Sequence, residues 1–205
     1  MNIEVRNTDK PLDYSDSIKI LENRVEGVFL NQKKELLWIL EHKTVYTAGT
    51  SSNDEDLLDK NLKVIKTNRG GKHTLHSPGQ KIIYFVLNLN NRKKDIRFLV
   101  QKIESCIINV LKEYKIQSFS DKKNIGIWVE DGKKLMKVAA IGIRVKKWVA
   151  YHGFSLNMNN DLSLYNKIIP CGIKNRGITS LKELGVENFK NVNETIIKNF
   201  LNTFL

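Results

Sequence analysis

"IGIWVEDGKKLMKVAAIGIRV", residues 125–145, decides the fold class. Two β-rich runs flank Asp131-Gly132, a dipeptide suited to a two-residue turn, so the stretch reads as an antiparallel hairpin. The following run, "WVAYHGFSLNM" (148–158), alternates, with Trp148, Ala150, His152, Phe154, Leu156 and Met158 assigned to one face. "KIIYFVLNL" (81–89) is rich in β-branched and aromatic residues and reads as a central strand. "ELLWILEH" (35–42) and "LKVIKT" (62–67) read as further strands. Apolar residues three and four apart predict helices over 14–29 (Tyr14, Ile18, Leu21, Val25, Val28) and over 96–114 (Ile96, Leu99, Val100, Ile103, Ile107, Val110, Tyr114). "NETIIKNFLNTFL" (193–205) predicts a closing helix, and "NDEDLLDK" (53–60) a short acidic one. The fold class is therefore mixed α/β (α+β) with a partly antiparallel sheet, not a doubly wound dinucleotide fold.

The chain has 205 residues, with 41% hydrophobic and 27% charged side chains, which fits one globular domain over 1–205. No repeat, low-complexity tract or linker marks a second domain. The amino terminus carries no apolar signal segment, and no apolar run approaches the roughly 20 residues that span a bilayer. Cys106 and Cys171 suggest neither a disulfide framework nor a metal site. These features predict a cytoplasmic protein without a membrane partner. The formal net charge of +12 favours acidic partners, or else reflects a lysine-rich composition spread along the whole chain. A nucleic-acid module is not supported, because no stacked-aromatic or recognition-helix pattern accompanies the charge.

Three places break the local rules. Lys137 is the only charged residue from Leu135 to Ile143, and both faces of that strand are apolar. Burying an ammonium is costly unless it is paired or its pKa falls, and a lysine of lowered pKa can serve as a base. Alternatively, Lys137 snorkels at the strand's end. The second place is "NRGGKHTLHSPGQ" (68–80), where Gly70-Gly71, Arg69, His73 and His76 would suit a substrate-binding loop. An ordinary hairpin connection is the other reading, and the glycine spacing matches neither a P-loop nor a Rossmann fingerprint. The third is Cys171, between Pro170 and Gly172: a small residue at a turn, or a thiol presented for nucleophilic chemistry. Its base would be one of His42, His73, His76 and His152, or Lys137. Cys106, on the 96–114 stripe, reads as core.

Taken together, "LEHKTVYTAGTSS", "RGGKHTLHSPGQKIIYFVLNL" and "KVAAIGIRVKKWVAYHGFSLNMNNDLSLYNKIIPCGI" resemble the lipoyl(octanoyl) transferase family over about residues 40–181. The resemblance implies a sheet fold like the catalytic domains of biotin protein ligase and lipoate ligase. It also implies octanoyl (or lipoyl) transfer from acyl carrier protein to a lysine of a lipoyl domain, in 2-oxoacid dehydrogenases or the glycine cleavage H protein. Neither cofactor nor metal would be needed, and a monomer is expected. Carried over by position, Cys171 matches the acyl-accepting nucleophile and Lys137 the lysine that activates it. Acyl-substrate contacts fall on Arg69, Gly70, Gly71, Lys72, His73, Thr74, Leu75 and His76, on Ala140, Ile141 and Gly142, and on Gly153, Phe154 and Ser155. Lys72-His73, Leu75 and Ser77 depart from the usual pattern, which touches the details of the acyl pocket. The alternative is an ATP-dependent lipoate or biotin ligase, whose glycine-rich loop resembles 69–76.

Overall fold

The computed structural model describes residues 2–132, 134–170 and 176–205. Eleven strands and three α-helices follow one another through the described chain. Strands β1 (Ile3–Asn7), β2 (Glu35–Leu40), β6 (Gln80–Asn88), β10 (Val149–Asn157), β9 (Lys134–Lys146), β8 (Ile127–Asp131) and β7 (Phe119–Ser120) lie side by side in that order. The short β11 (Gly177–Ile178) adds to β9 in parallel. A smaller sheet has the order β4 (Val64–Lys66), β3 (Val45–Ala48), β5 (His73–His76). β1 and β2 run parallel, while β2–β6, β6–β10, β10–β9 and β9–β8 are antiparallel, so the sheet is mixed.

Helix α1 (Tyr14–Phe29) starts where the Asp13 carboxylate accepts from the Ser15 and Asp16 N–H groups, a side-chain cap for otherwise orphaned donors. Its stripe of Leu21, Val25 and Val28 packs on Leu36, Trp38, Val86 and Tyr151, on one face of the large sheet. Helix α2 (Ile96–Glu113), capped by Asp95, and helix α3 (Val192–Phe204) cover the other face, burying Leu99, Ile103, Val110 and Phe200 against Phe85 and Leu87. Cys106 is fully buried in this second layer, and burial pushes its thiol up to about 12. It is a core residue.

The 125–145 hairpin forms with Asp131 opposite Lys134. β8 stops pairing at Ala139, however, and the rest of β9 keeps β10 on one side only. On the open side Gly70 N–H donates to the Ile143 carbonyl at 3.0 Å. This half-open strand edge becomes one wall of a cavity.

The structure corrects the single-face reading of 148–158. Trp148 lies in the β9–β10 turn with φ +60, and His152 also has positive φ, +66. Strand neighbours ordinarily point to opposite faces, yet the Tyr151 and His152 rings stack with centroids 4.8 Å apart. The left-handed backbone at His152 turns its ring to the α1 side. Gly153 follows because a Cβ there would overlap the Ile83 carbonyl oxygen of β6. The acidic helix over 53–60 contracts to one 3₁₀ turn, Asp54–Asp56, and β5 lies inside the segment that pattern alone reads as a loop. Among the described residues, no helix is long and apolar enough to cross a membrane.

Candidate active site

A cavity of about 400 Å³ opens between the 69–76 segment, the half-open edge of β9, β10 and the first turns of α1 and α2. That volume falls in the range of small-molecule sites. The lining is largely apolar towards α2, with Ile96, Val100, Ile141, Ile143 and Phe154, and more polar towards α1, where Ile82 sits in the same layer as Tyr84.

Arg69 organises the polar side. Its guanidinium is buried and donates to Thr47 Oγ1 at 2.8 Å, to the Thr47 carbonyl at 3.1 Å, to the Lys72 carbonyl at 2.9 Å and to the Gly70 carbonyl at 2.9 Å. The fork ties the 69–72 loop to β3, geometry a lysine cannot reproduce. The turn after β3 completes the cradle: Gly49, Thr50 and Ser51 donate from their backbone to the carbonyls of Lys72, Arg69 and Gly71. Gly49 has no alternative, since a Cβ there would overlap the Gly71 carbonyl.

Beneath this loop sits a layer of histidines and tyrosines. His42 donates from Nδ1 to the Leu12 carbonyl and accepts at Nε2 from Tyr84 Oη at 2.8 Å. His76 donates to Gln80 Oε1 at 2.8 Å, and His152 to Asn68 Oδ1 at 2.8 Å. Burial lowers all three from the ordinary histidine value, His42 to about 4 and His76 and His152 to about 3. The Arg69 guanidinium adds to the effect at His76 and His152. The rings are neutral at pH 7, so they work as hydrogen-bonding groups, not as cations. Burial also lowers His73.

Lys137 is 3% exposed, so it does not snorkel. Its Nζ donates to the Ile125 carbonyl at 3.1 Å and lies 4.7 Å from the centroid of the Trp128 ring. Among the described residues no carboxylate pairs with it. Lys137 lines the cavity and also a small recess beside it, whose other walls include Thr74, Asn157, Tyr165, Pro170 and Ile178. Gln80 bridges the two spaces: it accepts from His76 and donates to Asn157 Oδ1 at 2.8 Å and Tyr165 Oη at 3.0 Å. Asn157 in turn donates to the Thr179 carbonyl.

Arg69, Gly70, Gly71, Lys72, His73, Thr74 and His76, with Ala140, Ile141, Gly142, Gly153, Phe154 and Ser155, all line this one cavity with Lys137. Leu75 does not. It is fully buried on the far side of β5, opposite Tyr46 and among Tyr165 and Ile168, because alternation along the strand turns it away from Thr74 and His76. Cys171 and Gly172 lie outside the described residues. Sequence reasoning missed Tyr14, Tyr84, Ile82 and Val100 as cavity walls, since each sits on an element whose pattern reads as ordinary core. Among the described residues no three His, Cys, Asp or Glu side chains converge as a metal site.

Residues 13–203 match the family model described as the lipoyl protein ligase A/B catalytic domain. An octanoyltransferase of Wolbachia sp. subsp. Brugia malayi is 46% identical over 181 residues, 88% of this chain and 88% of its own length. One from Anaplasma phagocytophilum is 42% identical over 207 residues, covering both chains fully (100% and 100%). Among solved structures, the Thermoplasma acidophilum bi-partite lipoate protein ligase is similar with a TM-score of 0.76 at 14% identity, over 99% of this chain and 84% of that one. An Aquifex aeolicus biotin protein ligase is similar with a TM-score of 0.57 at 14% identity, over 98% and 69%. At such identities the structures speak for the fold alone. The chain belongs to the lipoyl protein ligase A/B catalytic domain family, among its octanoyltransferases.

Proposed function

We propose that this chain, as one catalytic unit over 1–205, transfers an octanoyl group from acyl carrier protein to a lysine of a lipoyl domain, through a thioester on Cys171. The observation that carries the reading is the place of Lys137. It is a buried amine with a carbonyl and an indole for company, and it faces both the cavity and the recess walled by Pro170. Pro170 is bonded to Cys171. On the other side of Cys171 the chain returns to the same lysine: Ile178 pairs with Lys137, and the Thr179 N–H donates to its carbonyl at 3.0 Å.

In the first half-reaction the Lys137 amine takes the Cys171 thiol proton, and the thiolate attacks the carrier's thioester carbonyl. The pantetheine sulfur leaves and receives that proton from Lys137. In the second half the acceptor lysine's neutral amine attacks acyl-Cys171. Its surplus proton passes through Lys137 to the departing cysteine sulfur, leaving an amide. The backbone N–H groups of Gly71 and of Gly172 are candidates to hold the oxyanion, the Gly70 N–H being already given to the Ile143 carbonyl. The apolar wall of Ile141, Ile143 and Phe154 suits the acyl chain. Exchange of one thioester for another is nearly balanced, and forming the amide is downhill, so the scheme requires no nucleotide.

The test is intact-protein mass spectrometry after incubation with octanoyl-carrier protein in the absence of ATP. One octanoyl adduct mapping to Cys171, chased to a lipoyl-domain lysine and absent from Cys171→Ser, is the expected result. Transfer that needs ATP and survives Cys171→Ser would replace this reading with a ligase.

A further inference from the structure

The cavity's entrance on the α2 side is built differently from its interior. Ile96 and Ile125 both line the cavity, yet they are 45% and 52% exposed. Phe98 (38%), on a neighbouring face of α2, and Trp148 (40%), in the β9–β10 turn, are exposed as well. Large apolar side chains grouped at an opening suit a contact surface, whereas ones scattered singly need no explanation.

Cations are interleaved with them. Lys93 Nζ sits 4.7 Å from the Phe98 ring centroid, and Lys94 Nζ 5.8 Å from that of Trp148. Arg97 follows Ile96 on α2, while Lys122 and Lys123 precede Ile125, with Lys123 itself on the cavity wall. All of these side chains are exposed. The nearby carboxylates are engaged elsewhere: Asp95 caps α2 and pairs with Lys93, and Asp121 pairs with Arg176 at 2.7 Å. Among the described residues no carboxylate pairs with Lys94, Arg97, Lys122 or Lys123.

We propose that this basic, apolar-centred rim, formed by the start of α2, the 122–125 segment and the β9–β10 turn, is where the acidic protein carrying the acyl thioester docks. The inference rests on the octanoyl-transfer reading. Charge complementarity selects an acidic partner, and the position selects the donor over the acceptor. The donor must thread an acyl chain through the opening that Ile96 and Ile125 flank, whereas the acceptor lysine needs only to reach the thioester beside Pro170. Exposed like-signed charges of this kind act chiefly on encounter rate and orientation, and salt screens them.

The test compares two donors on one variant, Lys94→Glu/Arg97→Glu/Lys122→Glu. None of these three side chains lines the cavity, and a glutamate in the first turn of α2 suits the helix dipole. Acylation of Cys171 is followed by mass spectrometry as a function of donor concentration and ionic strength. With octanoyl-carrier protein, kcat/KM should fall about tenfold or more at low salt, and the wild-type salt dependence should flatten. With octanoyl-pantetheine, which has no protein surface, the variant should match the wild type. Chase of the acyl group to a lipoyl domain should also be unchanged.

Equal losses with both donors would overturn the docking surface, as would wild-type kinetics with the carrier. A loss confined to the chase step would assign the surface to the acceptor and overturn the inference as stated. If octanoyl-pantetheine acylates the wild type, octanoyl transfer stands whatever the variant does. If neither donor acylates it, the transfer reading fails and this inference falls with it.

Discussion

Ile178 lies opposite Lys137 in the parallel pairing of β11 with β9, so the strand that follows the Pro170-Cys171 segment is registered on the lysine itself. Backbone bonds fix the other approach: Ile169 N–H donates to the Asp56 carbonyl at 2.7 Å, and Leu58 and Asp59 N–H to the Lys167 carbonyl at 3.0 and 3.1 Å. Lys72 joins them through its 3.1 Å ion pair with Asp56, connecting the glycine loop to the same region.

Lys137→Met removes the amine and keeps an unbranched chain in the same slot. Turnover should fall by about 10²–10⁴-fold, the usual worth of a positioned acid–base group. Thermal unfolding should be little changed, because the substitution gives up one hydrogen bond while keeping an apolar stem of similar length packed in the same slot. A large drop in Tm would mean that Lys137 is structural.

Arg69→Lys keeps the charge and loses the fork. Carbonyls of Thr47 and Lys72 would each lose a donor, so stability should drop by about 1–3 kcal/mol in denaturant titration. KM for the acyl donor should rise as the 69–72 loop loosens from β3.

Acid should destabilise the fold through its buried histidines. His42, His76 and His152 are held below the ordinary value of 6.5, so between that value and about 3–4 the unfolded chain binds more protons than the folded one. Their stabilising contribution is complete above about pH 6.5 and is lost as pH falls towards the folded values. Tm measured from pH 7 down to 4 should decline, at about 2–4 °C for each kcal/mol in a chain of this size. His152→Asn retains a side chain that accepts positive φ and should flatten the decline.

Gly153→Ala should be severely destabilising, by about 3 kcal/mol or more, because the added methyl meets the Ile83 backbone rather than a side chain that can yield. Circular dichroism melting of the purified variant, or its failure to accumulate as folded protein, checks this.

Much of the scaffold was legible because its residues obey one period at a time. The α1 and α2 stripes, the 81–89 strand and the Asp131-Gly132 hairpin fall within a few residues of their observed limits. What escaped were elements defined by their partners. β1 is charged along an edge, β11 is two residues long, and β5 is the polar sequence "HTLH" buried on both sides. Local pattern cannot announce a strand whose reason lies in β3 or β9. His152 escaped for a different reason: period-two counting assumes extended backbone, and a single positive φ inverts the assignment. The cavity's residue types were visible as exceptions to the rules of burial. Pattern alone did not show that they converge, since Tyr14, the Arg69 loop and β9 meet only through tertiary packing; it was the family resemblance that grouped the 69–76, 140–142 and 153–155 segments.

Trp128 receives the Arg176 guanidinium 4.6 Å from its ring centroid as well as the Lys137 amine. An indole's excited state responds to charge at such range, so its emission should track whether that amine holds a proton. With Trp38 and Trp148 replaced by phenylalanine, the enzyme would carry a native optical gauge of its own acid–base cycle, readable in a stopped-flow trace without any added dye.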